Sequence, residues 1–148
     1  MSADSESALV WSDALLLGFG PMDARHEEFV SLVSALLHAS NVELPQRLAA
    51  LATHLREHFD EEDRWMTETG FPARHCHVEE HDAVLHSLEQ VQALLTNGDS
   101  SECRRFAREL ARWFPGHADY MDAALAHWMC QRRLGGKPVV LRRRATGA

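Results

Sequence analysis

Residues 45–70, PQRLAALATHLREHFDEEDRWMTETG, are the stretch of sequence that decides the fold. Apolar residues recur there at alternating spacings of three and four, which is the pattern of a helix packed in a bundle. Pro45 and Gly70 mark where this helix begins and ends. Two polar residues interrupt the apolar stripe, at positions that a bundle core normally fills with Leu, Val or Phe. The members of the stripe are Leu48, Leu51, Leu55, His58, Glu62 and Trp65.

Three further segments have helical periodicity. They run from Met22 to about Ser40, from just after Pro72 to Asn97, and from about Ser101 to Met129. Short connections between long helices make neighbouring helices antiparallel. The sequence therefore predicts an all-α fold, an antiparallel up-down-up-down four-helix bundle with an extended N-terminal leader. No β-strand pattern competes with it.

The 148 residues suffice for one well-buried core but not for two. We assign residues 1–134 to the bundle domain and residues 135–148 to a basic C-terminal tail, which we expect to be flexible. No signal peptide precedes the bundle, and the apolar run 15–17 is too short to cross a membrane. Three cysteines, an odd number without metal-ligand spacing, indicate reduced thiols and a cytoplasmic protein.

The net charge of −7 conceals an asymmetry along the chain. Six of the 15 basic residues follow residue 131, so the rest of the chain carries nine basic and 22 acidic side chains, a balance of −13. Such a body should repel nucleic acid. The run Arg142–Arg144 is interpreted first as a solvated chain end, and the alternative is an arm that docks on a protein partner.

Five histidines and two carboxylates occupy helical positions that should otherwise be apolar, and each is costly to bury without a partner. Residues four apart point to nearly the same side of a helix, so His58 with Glu62, and His77 with His81, can each share a ligand. Antiparallel helices bring these groups to the same end of the bundle. A pair of metal ions explains the whole set, which comprises His26, His58, Glu62, His77, His81, His117 and Asp122.

This pattern resembles the hemerythrin family, including its bacterial members, over residues 11–129. Further points of resemblance are Trp11, Asp23 three residues before His26, the string 58–62, the step Phe71-Pro72, and Trp113 four residues before His117. Two features depart from the family. Pro115 removes a helix hydrogen bond and predicts a kink, and Phe114 and Ala118 replace the usual Leu and Ile.

The resemblance implies a non-heme di-iron centre with an oxo or hydroxo bridge. It implies that His77, His81 and His117 bind one iron, that His26 and His58 bind the other, and that Glu62 and Asp122 bridge them. If both carboxylates and a hydroxide touch both irons, the three-histidine iron has six ligands, while the two-histidine iron has five and one open position. Dioxygen or a small anion would bind there. The expected wall of this ligand pocket comprises Phe29, Phe59, Trp113, Phe114 and Ala118.

The remaining histidines have weaker claims to a metal. We expect His38, His86 and His127 to face solvent because none has a partner at ligand spacing. In the sequence His75-Cys76-His77 only His77 should face inwards, since adjacent helical residues diverge by about 100°. His54, four residues before His58, is an extra ligand, a hydrogen-bond partner of a ligand, or an exposed residue, and we favour the last two.

His117 and Asp122 are five residues apart, which places them about 140° apart on an ideal α-helix. Both can face the core only if the helix is distorted. The apolar stripe also resumes one residue late after His117, at Asp122, Leu125 and Met129. The sequence therefore predicts a π-bulge or a comparable widening between His117 and Asp122.

Three classes of function are compatible with such a centre. We favour a stand-alone protein that binds dioxygen reversibly for storage, delivery or scavenging, because no signalling domain and no larger substrate pocket is recognisable. The alternatives are an oxygen or redox sensor read by a partner through the basic tail, and an enzyme, either a di-iron peroxidase or a nitric-oxide-handling protein. The sequence leaves the oligomeric state open.

Overall fold

The computed structural model describes residues 9–133 and contains no strand in that range. A π-helical segment, Ala118–Asp122, connects the last two helices into one rod. The helices are α1 (Gly20–Leu37), α2 (Leu44–Thr69), α3 (Arg74–Thr96), α4 (Cys103–His117) and α5 (Ala123–Arg133). The basic tail predicted for residues 135–148 lies outside the described residues. Within residues 9–133, no helix combines the length and apolar character that crossing a membrane requires.

We count α4 and α5 as one rod, so that the bundle has four rods with α1, α2 and α3. The four rods form a ring in which each one contacts two neighbours. Helices α1 and α3 both pack against α2 and against α4. The segments between the rods span only residues 38–43, 70–73 and 97–102. Connections this short reverse the direction of the chain at each step. The predicted up-down-up-down four-helix bundle is confirmed.

Local chemistry sets the ends of α2, the helix that carries the deciding stretch. Pro45 lies in its first turn, where a helix does not need the missing backbone N–H. Gly70 ends the helix with a φ of 69°, a left-handed conformation that glycine adopts without strain. The N–H of Phe71 then donates to the carbonyl oxygen of Met66 at 2.9 Å. The register of α2 is therefore fixed at both ends.

The leader is bound to the first turn of α1. It contains a 3-10 turn at Asp13–Leu15, and its Trp11 packs half-buried against the core. The Asp23 carboxylate accepts the N–H of Leu17 at 2.8 Å and that of Gly18 at 3.1 Å. These bonds fix the start of α1, one turn before the first predicted metal ligand.

The apolar core consists of two separate clusters. The larger one includes Phe29, Leu55 and Leu88, and the smaller one includes Met22 and Leu125. All seven predicted ligands are buried but belong to neither cluster. Along the helices, the seven polar side chains therefore form a layer between the two apolar clusters.

Candidate metal centre

The structure brings all seven predicted ligands together from the four rods. The most exposed of them, His117, retains only 5% of its surface. Glu62 lies in the middle and divides its oxygens between two sides. Its Oε2 is 2.9 Å from His58 Nε2, whereas its Oε1 is 3.2 Å from His81 Nε2 and 3.4 Å from His77 Nε2.

Asp122 divides its oxygens in the same way. Its Oδ1 lies 3.0 Å from His77 Nε2 and 3.2 Å from His117 Nε2, while its Oδ2 lies 3.1 Å from His26 Nε2. Each carboxylate thus presents one oxygen to a three-histidine side and the other to a two-histidine side. This is the arrangement that two bridging carboxylates need.

Two groups of side chains have donor atoms close enough to hold a cation. Within each group the atoms lie within 4.8 Å of one another, and Glu62 belongs to both. The first group is Glu62, His77, His81, His117 and Asp122, and the second is His26, His58 and Glu62. The division reproduces the three-histidine and two-histidine sets that the family resemblance implied.

The unpartnered atoms of this layer test whether cations fit. The Nε2 atoms of His26, His81 and His117 and the Oε1 atom of Glu62 are buried and have no hydrogen-bond partner among the described residues. Buried polar atoms are normally satisfied, because leaving them unpaired is costly. Imidazole nitrogens with a few carboxylates suit iron, zinc or copper better than calcium or magnesium. The residues present therefore fit cations of that class.

The widened turn predicted in the last rod is confirmed. The π-helical segment begins directly after His117 and ends at Asp122. It absorbs one extra residue, so both ligands face the interior. Tyr120, in the middle of the segment, is 84% exposed.

Aromatic rings enclose the three-histidine group. The Phe59 ring stacks on His81 with 4.0 Å between centroids and 5° between planes. The Trp113 ring stacks on His117 at 4.3 Å and 25°. Both rings were expected in the wall of the ligand pocket beside the two-histidine iron, but their nearest ring contacts are with histidines of the three-histidine group. They restrict the rotation of the imidazoles that they cover.

Other aromatic rings cover the two-histidine group. Phe114 is fully buried and meets His26 edge-on at 5.0 Å between centroids. Phe29 packs against Phe114 with 4.8 Å between the ring centroids. Ala118, also predicted to border the pocket, is buried at the start of the π-helical segment.

Comparison with known proteins identifies the family. The sequence profile described as Hemerythrin HHE cation binding domain matches residues 18–128, three quarters of the chain. The chain belongs to the hemerythrin family. A curated relative, Bacteriohemerythrin of Ralstonia nicotianae, is 40% identical over 122 residues, which cover 82% of this chain and 89% of the relative.

Two more distant hemerythrins agree with this assignment. Bacteriohemerythrin of Stenotrophomonas maltophilia is 25% identical over 144 residues, covering 86% of this chain and 91% of that one. A crystal structure of wild-type hemerythrin superposes with a TM-score of 0.74 at 22% identity, covering 80% of this chain and 95% of the other. The second likeness supports the hemerythrin four-helix fold.

Two carboxylates that the sequence analysis missed hold histidines of this hemerythrin centre from outside. Asp63 Oδ1 lies 2.8 Å from His81 Nδ1, and Glu80 Oε1 lies 2.8 Å from His117 Nδ1. Each acid is next in sequence to a predicted ligand, Asp63 after Glu62 and Glu80 before His81. This adjacency was the only feature of the sequence that indicated a role for the two acids.

The other histidines divide as follows. His38, His86 and His127 face solvent, and His75 and Cys76 are exposed beside a buried His77, all as predicted. His54 is different, because it is buried, and the expectation of an exposed position is therefore wrong.

His54 lies beside the centre but outside both ligand groups. Its ring meets the His58 ring edge-on at 5.3 Å. Its Nδ1 is 3.5 Å from Glu28 Oε1, and its Nε2 has no partner among the described residues. Burial, followed by the charges of His58, Arg25 and His26, lowers its pKa to about 4. His54 is therefore a neutral packing neighbour of a predicted ligand.

The histidines and carboxylates of this cluster shift one another's pKa values. Burial alone would lower the pKa of His26, but the nearby carboxylates of Asp122 and Glu62 raise it to about 9. The pKa of His77 is raised to about 9 by the same two carboxylates against the same effect of burial. Burial would raise the pKa of Glu62, yet His58, His26 and His77 hold it well below its usual value.

These pKa shifts predict how cation binding depends on pH. Histidines with a raised pKa keep their protons up to about pH 9, so below that pH a cation must displace them. Affinity for zinc(II), a redox-inert probe, should therefore rise with pH between about pH 6 and pH 9, by about tenfold per pH unit for each proton displaced. Competition titrations at several pH values check this, and an affinity that does not change with pH would contradict it.

Proposed function

We propose that this hemerythrin is a non-heme di-iron protein that binds dioxygen reversibly, for storage, delivery or scavenging. The observation that carries the proposal is the pair of ligand groups joined by Glu62, with Asp122 directing one oxygen to each side. In the proposal, His77, His81 and His117 bind one iron, His26 and His58 bind the other, and both carboxylates bridge. The likeness to two bacteriohemerythrins supports a hemerythrin function.

The residues make the two positions unequal. Iron, when bound, supplies the electrons by which dioxygen is held and released. Three imidazoles converge on one side of the carboxylates, but only His26 and His58 converge on the other. With fewer protein ligands, the two-histidine side is where dioxygen, or a small anion such as azide, should bind. Phe114 and Phe29 cover this side and exclude water.

The visible spectrum of the iron-loaded protein tests the proposal. We expect about two irons per chain and an absorption band that appears in air, disappears when oxygen is removed, and returns on re-exposure. Irreversible conversion to the ferric state would overturn the carrier function. It would favour the alternatives, an oxygen or redox sensor or a di-iron peroxidase or nitric-oxide-handling enzyme.

The cellular setting and domain limits are also proposals. We propose a cytoplasmic protein, supported by the unpaired state of Cys76, Cys103 and Cys130. We propose that the bundle domain ends near residue 134, and that the basic residues beyond it are the place for any protein partner. Fractionation of the native host checks the first proposal, and recovery of the protein in the secreted fraction would contradict it.

Phe114 should control the stability of the ferrous protein in air. Phe114→Ala removes the ring next to His26 and admits water, which assists oxidation. We expect spontaneous oxidation to the ferric state to accelerate roughly tenfold, equivalent to about 1.4 kcal/mol in the barrier, with iron content unchanged. The matched control is Phe106→Ala, a cavity in the same helix and the same core cluster. Equal oxidation rates in the two variants would show that Phe114 does not protect the site.

A further inference from the structure

Two of the three histidines in the three-histidine group are fixed from behind by carboxylates. The Nδ1 of His81 is bonded to Asp63 and that of His117 to Glu80, both at 2.8 Å. Only Nε2 then remains to face the centre. The Nε2 of His81 lies 3.2 Å from Glu62 Oε1, and the Nε2 of His117 lies 3.2 Å from Asp122 Oδ1.

Each of these two imidazoles is also covered by an aromatic ring. Phe59 lies parallel to His81, and Trp113 lies nearly parallel to His117. The indole N–H of Trp113 donates to Glu80 Oε1 at 3.3 Å, the oxygen that is bonded to His117. A carboxylate holds each imidazole at its edge, and an aromatic side chain covers its face. Neither imidazole therefore turns freely.

The two-histidine group has no equivalent. Among the described residues, the buried Nδ1 atoms of His26 and His58 have no hydrogen-bond partner, and neither does the Nδ1 of His77. Both outer carboxylates therefore act on the same side of the centre. Asp63 and Glu80 are also partly exposed, at 31% and 42% of their side chains, so water can stabilise their charge without a buried counter-ion.

We infer that Asp63 and Glu80 are positioning residues that make the three-histidine position the tighter of the two metal positions. The inference rests on the proposed di-metal function and deepens it. A carboxylate bonded to the outer nitrogen of an imidazole fixes its tautomer and makes the opposite nitrogen a stronger donor. A nearby anion also favours the more highly charged state of a metal ion. The two carboxylates would strengthen binding of the ion at the three-histidine position. The ion at the two-histidine position would remain available to bind a small ligand.

Zinc(II) titration of the metal-free protein tests this inference. We expect two binding steps in the parent protein. Asp63→Ala and Glu80→Ala should each weaken the first, tighter step by about 10–100-fold and leave the second unchanged. Asp63→Asn and Glu80→Gln keep an oxygen that can accept the Nδ1–H, so they should recover most of the lost affinity. The matched control is Glu79→Ala, which removes the exposed neighbour of Glu80 and its pairing with His75.

A second readout separates positioning from a general loss of stability. In the iron-loaded protein, Asp63→Asn and Glu80→Gln remove a charge but retain the hydrogen bond, so oxidation of the cluster should shift to a more positive potential. The Glu79→Ala control should leave the potential unchanged.

The outcomes distinguish this inference from the proposed function. A parent protein that binds fewer than two zinc ions would overturn the di-metal function itself. A parent protein with two steps, in which the Asp63 and Glu80 variants leave the tighter step unchanged or weaken both steps equally, would overturn the positioning role alone. Circular dichroism of each metal-free variant shows whether it has folded before it is titrated.

Discussion

Glu62→Ala is expected to release both metal ions and to lower the melting temperature of the iron-loaded protein to that of the metal-free one. Glu62 is the only residue that belongs to both ligand groups among the described residues, and each of its oxygens faces a different group. A cation at a thousand times its dissociation constant stabilises the folded state by about 4 kcal/mol. In a domain of this size that corresponds to a melting temperature higher by roughly 10 °C.

Controls separate the loss of metal from the loss of a carboxylate. Asp60→Ala, on the exposed side of the same helix, removes only a surface ion pair with Arg64 and should retain two irons. His54→Ala should also retain them, because His54 is outside both groups. Chelation of the reduced parent protein should reproduce the lowered melting temperature. Two irons in the Glu62→Ala protein, or chelation without loss of stability, would contradict the di-metal assignment.

The fold and the ligand layer were predictable because the buried residues of a helix recur in the sequence with the period of the helix. Along α2, spacings of three and four place His58 and Glu62 on the same stripe as Leu51 and Leu55, and all four side chains are buried. The widening before Asp122 was predictable for the same reason. A stripe that resumes one residue late requires one extra residue in the helix.

Asp63 and Glu80 could not be predicted in this way. Each lies one residue away from a predicted ligand, about 100° round its helix, where an acidic side chain normally faces solvent. Both are indeed partly exposed. Their hydrogen bonds cross between helices, Asp63 to α3 and Glu80 to α4, and depend on how closely the helices approach. The spacing of residues within one helix does not show how closely two helices approach each other.

His54 shows a second limit of periodicity. A narrow stripe through Leu51, Leu55 and His58 leaves His54 at its margin. In the structure, α2 contacts both α1 and α3, so its buried face is wider than one stripe and also includes Ala52 and Phe59. The width of a buried face depends on the number of neighbours that a helix has, which is a property of the assembled bundle.

Changing the length of the π-helical segment should have the second large effect. Inserting an alanine between Asp119 and Tyr120 rotates all later residues by about 100° about the helix axis. Asp122, Leu125 and Met129 would then leave the interior. Loss of buried Leu or Met packing costs about 2–5 kcal/mol per residue, and the bridging carboxylate is lost with it. We expect a large fall in both metal content and melting temperature.

Deleting Tyr120 should have a much smaller effect, although it also changes the length of the chain by one residue. His117 and Asp122 would then be four positions apart, about 40° round a regular α-helix, and both would still face the centre. Tyr120 itself is 84% exposed and contributes little packing. Tyr120→Ala controls for the loss of the side chain. The metal content and melting temperature of the deletion variant should therefore be close to those of the parent protein, and those of the insertion variant should be far below them. The reason is that the register of the ligands, and not the length of the chain, determines whether the centre forms. A deletion as damaging as the insertion would show that the wide turn has a role beyond register.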